Sequence, residues 1–301
     1  MHGDAIFKGL TAAFACAILA ILALTVVEMT TESLPAIRAF GTKFITGSEW
    51  DVVQGNFGAL PFIWGSVISS IFALLLATPL SIGAALFITE IAPGRIGTAI
   101  ASLIELLAAI PSVIYGLWGV LVMAPWLQQT VQPFLIEHLG FLPLFQGAPY
   151  GVSMLAAIFI LMIMVVPIIT SITKEVLLAV PQSQKEAAIA LGATRWEMIR
   201  MAILPYGKSG ILGAVILGLG RAIGETMAVT MVIGNTPQIS LSLLNPAYTM
   251  PSVIANEFAE ATSKLQGAAL MEIGLILLLV TLLINIMARL LLWGMGRKGG
   301  K

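Results

Sequence analysis

The chain has 301 residues, of which 58% are hydrophobic and 10% are charged, whereas an ordinary soluble domain carries roughly 25% charged residues. Its formal net charge is +0, and it shows no basic stripe of the kind that binds a phosphate backbone, which excludes a nucleic-acid partner. One cysteine (Cys16) and two histidines (His2 and His138) are too few for a disulfide framework or a zinc site. The composition therefore predicts an all-α protein embedded in lipid.

Six apolar stretches are long enough to cross a membrane, because about 20 helical residues span a hydrocarbon core of about 30 Å. The predicted spans are 10–27, 61–88, 98–123, 151–173, 210–233 and 268–293. The first follows Lys8 but lacks a small-x-small cleavage site, so we expect it to be retained and not removed as a secretion signal. Residues 1–60 then hold the first span and an external loop, residues 61–293 form a core with five spans, and 294–301 form a tail.

Positive charges predict the orientation, since lysine and arginine favour the cytoplasmic side of short loops. With the N-terminus inside, eleven of them lie inside: Lys8, Arg95, Lys174, Lys185, Arg195, Arg200, Lys208, Arg289, Arg297, Lys298 and Lys301. Three lie outside: Arg38, Lys43 and Lys264. Both termini are therefore predicted to be cytoplasmic, and residues 174–208 form the largest cytoplasmic loop.

This loop is predicted to contain two short helices. It reads KEAAIALGATRWEMIRMAILPYGKSG from Lys185 onward, and Gly192 permits a turn between the helices, since glycine tolerates a positive φ. Thr194 and Glu197 have the spacing of a capping box at the start of the second helix. Pro205 is predicted to end that helix before the chain returns to the membrane.

The second helix is predicted to carry an exposed apolar face. Trp196, Ile199 and Ile203 recur at spacings of three and four residues, which places them on one side of a helix. A stiff loop with such a face favours docking onto another protein, although an ordinary amphipathic loop between spans has the same pattern.

The loop resembles the EAA coupling loop of bacterial ABC importer permeases. That pattern is E-A-A, three residues, glycine, nine residues and then I-x-L-P; the matching residues here are Glu186, Ala187, Ala188, Gly192, Leu204 and Pro205. The isoleucine position departs from the pattern, because it holds Ala202. The resemblance implies a separate ATPase subunit that binds the loop, Trp196 included, and that itself binds ATP. No cofactor and no catalytic residue is then expected in this chain.

A rival motif overlaps the same residues. Residues 202–209 read AILPYGKS, which fits a permissive P-loop pattern. A working P-loop follows a strand and lies within a soluble sheet, whereas this segment contains Pro205 and precedes a membrane span. We therefore expect Lys208 and Ser209 to mark the lipid boundary.

Three ionisable residues are predicted to lie at membrane depth, where such groups are costly unless paired or hydrated. Arg221 follows the start of the fifth span by eleven residues, or about 16 Å, and Glu225 follows one turn later. Glu105 reaches a depth of about 12 Å in the third span by the same count. We expect the three to meet in one cluster on the substrate path, where arginine suits an oxyanion and a carboxylate favours a protonated one. Alternatively, Arg221 and Glu225 form a buried pair that only fixes helix register.

Glycine and proline are frequent within the predicted spans. The fifth span contains Gly210, Gly213, Gly218, Gly220 and Gly224, which predicts close helix packing. Pro79, Pro111 and Pro167 lie within other spans and are predicted to kink them.

Three further segments resemble the PstC family of phosphate-specific ABC transporters. They are LLAAIPSVIYGLWG at 106–119, GRAIGETMAVTMVIGN at 220–235 and FGALP at 57–61. The resemblance implies a type I ABC importer permease fold with six spans in the bacterial inner membrane, and import of inorganic phosphate. It implies as partners a PstA-like second permease, PstB-like ATPase subunits and an external PstS-like phosphate-binding protein, and it associates Arg221 and Glu225 with phosphate translocation.

Two other functions remain open at this stage. A permease of the same class could import another oxyanion, such as sulfate or molybdate, because the coupling loop does not distinguish them. A membrane enzyme acting on lipid would need convergent catalytic groups, and the sequence shows no such set.

Overall fold

The computed structural model describes residues 2–92 and 94–296, and within them the chain is almost entirely helical. The helices are α1 (His2–Phe40), α2 (Lys43–Thr46), α3 (Leu60–Leu86), α4 (Gly94–Ala108), α5 (Ser112–Trp118), α6 (Ala124–Trp126), α7 (Gln132–Leu139), α8 (Met154–Leu178), α9 (Gln182–Ala190), α10 (Arg195–Met198), α11 (Leu204–Gly224), α12 (Met227–Val232), α13 (Met250–Glu257) and α14 (Lys264–Gly296). A hairpin pairs β1 (Trp50–Asp51) with β2 (Asn56–Phe57) in antiparallel register. The predicted tail beyond residue 296, with Arg297, Lys298 and Lys301, lies outside the described residues.

Five helical stretches are long and apolar enough to cross a membrane. They are Phe7–Phe40, Leu60–Ile91, Met154–Leu178, Arg195–Gly224 and Lys264–Leu290. The third predicted span is broken, because Gly94–Ala108 and Ser112–Leu139 meet at a bend of 90°. Pro111 lies at the bend as the residue before α5, where its missing N–H and fixed φ end one helix and begin the next. The predicted kink at Pro111 is confirmed, and it is a break between two helices.

Four π-helical segments interrupt the helices of the described residues, and each ends two residues before a proline in the sequence. The segments are Phe87–Ile91, Gly119–Met123, Leu127–Val131 and Ile199–Ile203. Proline lacks an N–H, and its ring clashes with the carbonyl four residues earlier in a regular α-helix. A wider turn just before the proline moves that carbonyl aside. The helix continues after three of the segments, whereas after Phe87–Ile91 the chain becomes extended at Ala92.

The bundle is built around α8. This helix packs against α3, α4 and α11, and its buried residues from Met154 to Leu177 form much of the main apolar core. A second core joins α1, the hairpin, α13 and α14. A smaller third core lies where residues 174–208 meet the ends of α3 and α8; we call this end of the bundle the loop side.

Candidate functional site

The loop between α8 and α11 has the two-helix structure predicted for it. Gly192 separates α9 from α10 and has a φ of +83°. A residue with a side chain would adopt this φ only at an energetic cost. Thr194 Oγ1 accepts a hydrogen bond from the Glu197 N–H at 3.3 Å, and Glu197 Oε2 accepts one from the Thr194 N–H at 2.8 Å. The predicted capping box is therefore confirmed.

The prediction that Pro205 ends the second helix is wrong. Arg195–Gly224 is one continuous helical stretch, and the π-helical segment Ile199–Ile203 directly precedes Leu204 and Pro205. The Leu204 N–H donates to the Ile199 carbonyl in this wider turn, which accommodates the proline ring. The second helix of the loop is thus rigidly joined to the fifth span. The P-loop pattern also falls inside this helix, where no phosphate-binding loop exists.

The predicted apolar face of the second helix is only partly exposed. Ile199 and Ile203 are buried in the loop-side core, because the helix rests against the ends of α3 and α8. Trp196 is 64% exposed and Leu191 is 89% exposed. Leu191 and the exposed Met201 line a groove of about 400 Å³ between the two loop helices. The apolar surface available for docking therefore includes Leu191 and excludes the two isoleucines.

The other residues predicted to take part in coupling are partly exposed and partly buried. Glu186, Ala187, Gly192 and Pro205 are exposed. Ala188 and Leu204 are partly buried and pack against the loop-side core. We call the exposed part of this set, with Leu191 and Trp196, the coupling surface.

An ion pair that the sequence did not predict lies beneath the coupling surface. Lys185 Nζ lies 2.6 Å from Glu90 Oε1, and the two side chains are 13% and 9% exposed. Glu90 follows the second apolar stretch directly, where a charged residue is ordinary. Because the partners are 95 residues apart, no local spacing could have revealed the contact.

The predicted cluster of Arg221, Glu225 and Glu105 does not form. Arg221 is exposed, and no ion pair within residues 2–92 and 94–296 joins it to either carboxylate. The helix ends at Gly224, and Glu225 adopts an extended backbone with φ −69° and ψ 125°. Its buried carboxylate Oε1 accepts a hydrogen bond from the Ala228 N–H at 3.5 Å. The predicted span 210–233 is therefore broken one turn after Arg221.

Glu105 lies at a different level from Arg221. Its Oε1 is 3.1 Å from Lys174 Nζ, close to the end of α8 at the loop side. A Cβ added at Gly210 would contact Val176, so Gly210 lies near that same end of α8. Arg221 lies eleven residues further along α11, or roughly 16 Å away. Glu105 therefore lies at the loop-side end of the bundle, well separated from Arg221.

The glycines of α11 divide into two groups. A Cβ at Gly210 or Gly218 would meet side chains of α8 at 2.5 to 2.9 Å, so these two residues are close-packed as predicted. A Cβ at Gly213, Gly220 or Gly224 would meet nothing within 4 Å. Spacings of seven and four residues put these three on one helix face, which we call the open face, and for them the packing prediction is wrong. Arg221 is exposed next to it.

The two broken spans contact each other beyond their breaks. A Cβ at Gly116 of α5 would lie 3.0 Å from Ala228 Cα of α12, and one at Gly119 would lie 2.8 Å from Val232 Cγ1. Gly218, three residues before Arg221, meets Val165 near the middle of α8. The break after Arg221 thus lies at mid-bundle, where irregular backbone in a membrane protein is found next to protein or a water-filled cavity.

The multi-span helical bundle carries a two-helix loop at one end, and comparison with known families assigns its class, the membrane component of a transport system. Residues 77–295 match the family model of the binding-protein-dependent transport system inner membrane component. The phosphate transport system permease protein PstC of Mesorhizobium japonicum is 46% identical over 99% of this chain and 92% of its own length. PstC of Haemophilus influenzae is 44% identical over 99% and 96%. The chain belongs to the PstC family.

Solved structures show the same fold at low sequence identity. A chain of a bacterial alginate ABC transporter, in complex with an alginate pentasaccharide-bound periplasmic protein, superposes with a TM-score of 0.62 at 18% identity, covering 93% of this chain and 92% of that one. A chain of the inward-facing MetNI methionine ABC transporter gives a TM-score of 0.55 at 17% identity, covering 81% and 95%. The predicted type I ABC permease fold is confirmed, and the chain is a multi-pass membrane protein.

Proposed function

We propose that the chain is the permease subunit of an importer that moves inorganic phosphate into the bacterial cell. The observation that carries the proposal is near full-length similarity, at 46% and 44% identity, to relatives named as phosphate transport permeases. The partners are then a PstA-like second permease, PstB-like ATPase subunits and a PstS-like external binding protein. ATP is bound and hydrolysed by the ATPase subunits. The loop side and both termini face the cytoplasm of a cell with this transporter in its inner membrane.

The coupling surface supports the role of the loop. Leu191 and Trp196 present apolar side chains to solvent on two helices that Gly192 joins at a tight turn. Exposed apolar side chains around a groove are typical of a docking site. Since α10 continues into α11 without a break, a displacement of this surface by the ATPase would move the first part of the fifth span with it.

Arg221 and Glu225 are the residues that we propose act on the substrate. Arg221 is a cation near mid-bundle without an ion-pair partner in the described part of the chain, so its guanidinium is available to an anion. Glu225 lies in the break after Arg221 and accepts a hydrogen bond from the Ala228 N–H near the start of α12. Its carboxylate would accept a hydrogen bond from a protonated phosphate and repel a fully ionised anion such as sulfate.

Transport by the assembled complex tests the proposal. The four kinds of subunit are reconstituted in proteoliposomes, and uptake of labelled phosphate is measured for the wild type, for Arg221→Gln and for Arg95→Gln. Arg95 is an exposed arginine of α4 and serves as the charge-matched control. We expect Arg221→Gln to lose phosphate uptake by 100-fold or more, in the range of about 3 kcal/mol for a lost charge-assisted contact, with the control unchanged.

Three results would contradict parts of the proposal. Full uptake by Arg221→Gln would remove the residue from the substrate path. Competition of equal strength by sulfate or molybdate would favour an importer of another oxyanion. Uptake of phosphate without ATP, or without the ATPase subunit, would overturn the coupling role of the loop.

A further inference from the structure

The first helix of the coupling loop is weakly attached to the spans by apolar contacts. None of the nine residues of α9 is buried, and the helix packs against α10 and the π-helical segment Ile199–Ile203. A helix that receives a displacement from another subunit must be firmly connected to the spans, or the displacement is lost in local bending. Ala188 is the α9 side chain that packs, partly buried, against the loop-side core, and one small methyl group is a weak connection to α3.

The ion pair between Lys185 and Glu90 supplies a firmer connection. Lys185 lies in α9, directly before Glu186, and its Nζ contacts Glu90 Oε1 at 2.6 Å. Because both side chains are largely shielded from water, solvent and salt screen their attraction less than that of a surface pair. Separating the two charges would leave each poorly solvated and unpaired, which is costly. The pair therefore resists separation when α9 moves.

Glu90 lies close to the junction between α3 and α4, so its displacement would change the angle between these two helices. It lies in the π-helical segment Phe87–Ile91, at the loop-side end of α3, where the Ala92 N–H donates to the Phe87 carbonyl at 2.8 Å. α4 begins at Gly94, within four residues of Glu90. A displacement of Glu90 would thus act on the junction of the second span with the broken third span.

We propose that the Lys185–Glu90 ion pair transmits the movement of α9 to the junction of α3 and α4, which makes both residues positioning residues for transport. The inference rests on the proposed function, because it requires an ATPase that moves the loop. A second ion pair, Lys174 with Glu105, connects α8 to α4 on the same side. Glu105 is 57% exposed and Lys174 is shared with Glu175, so this pair is the weaker link.

A purely structural role for Lys185 and Glu90 gives different expectations. If the pair only stabilised the fold, its loss would lower the amount of assembled complex, and each assembled complex would still move a normal amount of phosphate per ATP. If the pair transmits movement, the complex assembles and hydrolyses ATP, and the amount of phosphate moved per ATP falls. The ratio of the two rates therefore separates the two roles.

The test uses the full complex in proteoliposomes with Lys185→Met, Glu90→Gln, and the exchange variant that combines Lys185→Glu with Glu90→Lys. Phosphate uptake and ATP hydrolysis are both measured per assembled complex, quantified by size-exclusion chromatography. We expect each single variant to lower phosphate moved per ATP by about tenfold. The exchange variant restores the pair with reversed charges, and we expect it to recover most of the ratio.

Arg95→Gln is again the matched control, since it removes an exposed positive charge close to the same junction; its ratio should equal that of the wild type. A wild-type ratio in Lys185→Met, or a loss that appears only in the amount of assembled complex, would overturn the inference. Equal loss in the exchange variant and the single variants would overturn it too. A wild-type complex that takes up no phosphate would instead refute the proposed function.

Discussion

Gly218 and Gly220 lie two residues apart on α11 and form a matched pair of sites for Gly→Ala substitution. A Cβ at Gly218 would lie 2.8 Å from Val165 Cγ1 and 2.9 Å from Ile169 Cδ1, whereas carbon atoms pack at about 3.5 to 4.0 Å. Both neighbours are β-branched and fully buried, so each must shift by roughly 0.7 Å or change rotamer. A Cβ at Gly220 would meet nothing within 4 Å.

The difference between the two variants isolates the cost of overpacking. Both gain about 1 kcal/mol of helix propensity from Gly→Ala, and only Gly218→Ala incurs an overpacking cost of about 1–3 kcal/mol. We therefore expect Gly218→Ala to be less stable than Gly220→Ala by about 1–3 kcal/mol. Unfolding of the purified subunit in mixed micelles, followed by circular dichroism against the mole fraction of denaturing detergent, measures this difference. Equal stabilities would refute the close packing of α11 on α8.

Phosphate uptake by the same two variants tests the open face of α11. If that face lines the substrate path next to Arg221, the added methyl group of Gly220→Ala narrows the path while the fold remains stable. We expect roughly tenfold slower uptake per assembled complex, which corresponds to about 1.4 kcal/mol on the barrier to transport. Wild-type uptake by Gly220→Ala would place the open face away from the path.

Four further outcomes test the loop and its surroundings. Trp196→Ala removes an aromatic side chain from the coupling surface, so binding of the ATPase subunit in detergent pull-downs should weaken by roughly tenfold, with membrane insertion unchanged as the control. Thr194→Ala removes half of the capping box at a cost of about 1 kcal/mol, and amide hydrogen exchange at 195–198 should become faster; unchanged exchange would contradict the cap. Gly192→Val forces a β-branched residue to a φ of +83° at a cost of at least about 1–2 kcal/mol, so ATP hydrolysis should lose its dependence on the binding protein. Glu105→Gln should keep phosphate uptake within about twofold, because Glu105 is largely exposed and pairs with Lys174; a tenfold loss would return it to the substrate path.

The parts of the site that were predictable depend on residues close together in the sequence. The capping box joins Thr194 to Glu197, and the turn at Gly192 depends on one residue's backbone freedom. Five spans could be located because the hydropathy of a segment of about 20 residues depends only on its own residues and not on which helices pack against it. The depth of Arg221 follows from the same count, and its level at mid-bundle agrees with the contact of Gly218 with Val165.

The incorrect predictions depended on the response of one segment to another. Pro205 was expected to end a helix, but a π-helical turn before it absorbs the clash and the helix continues. Ile199 and Ile203 were expected on the docking face, but the ends of α3 and α8 cover them. Residues four apart need not pair when the helix ends between them, as it does between Arg221 and Glu225.

The sequence by itself determined that this chain is a membrane permease of the PstC family with a two-helix loop within 174–208. Composition, local motifs and similarity can each be read along the chain without knowledge of its packing. Only the tertiary structure decided that Glu105 pairs with Lys174 and that Lys185 holds Glu90 beneath the coupling surface. Those contacts join residues 69 and 95 positions apart. They arise only when the helices pack, since packing alone sets which charged groups share a poorly solvated space.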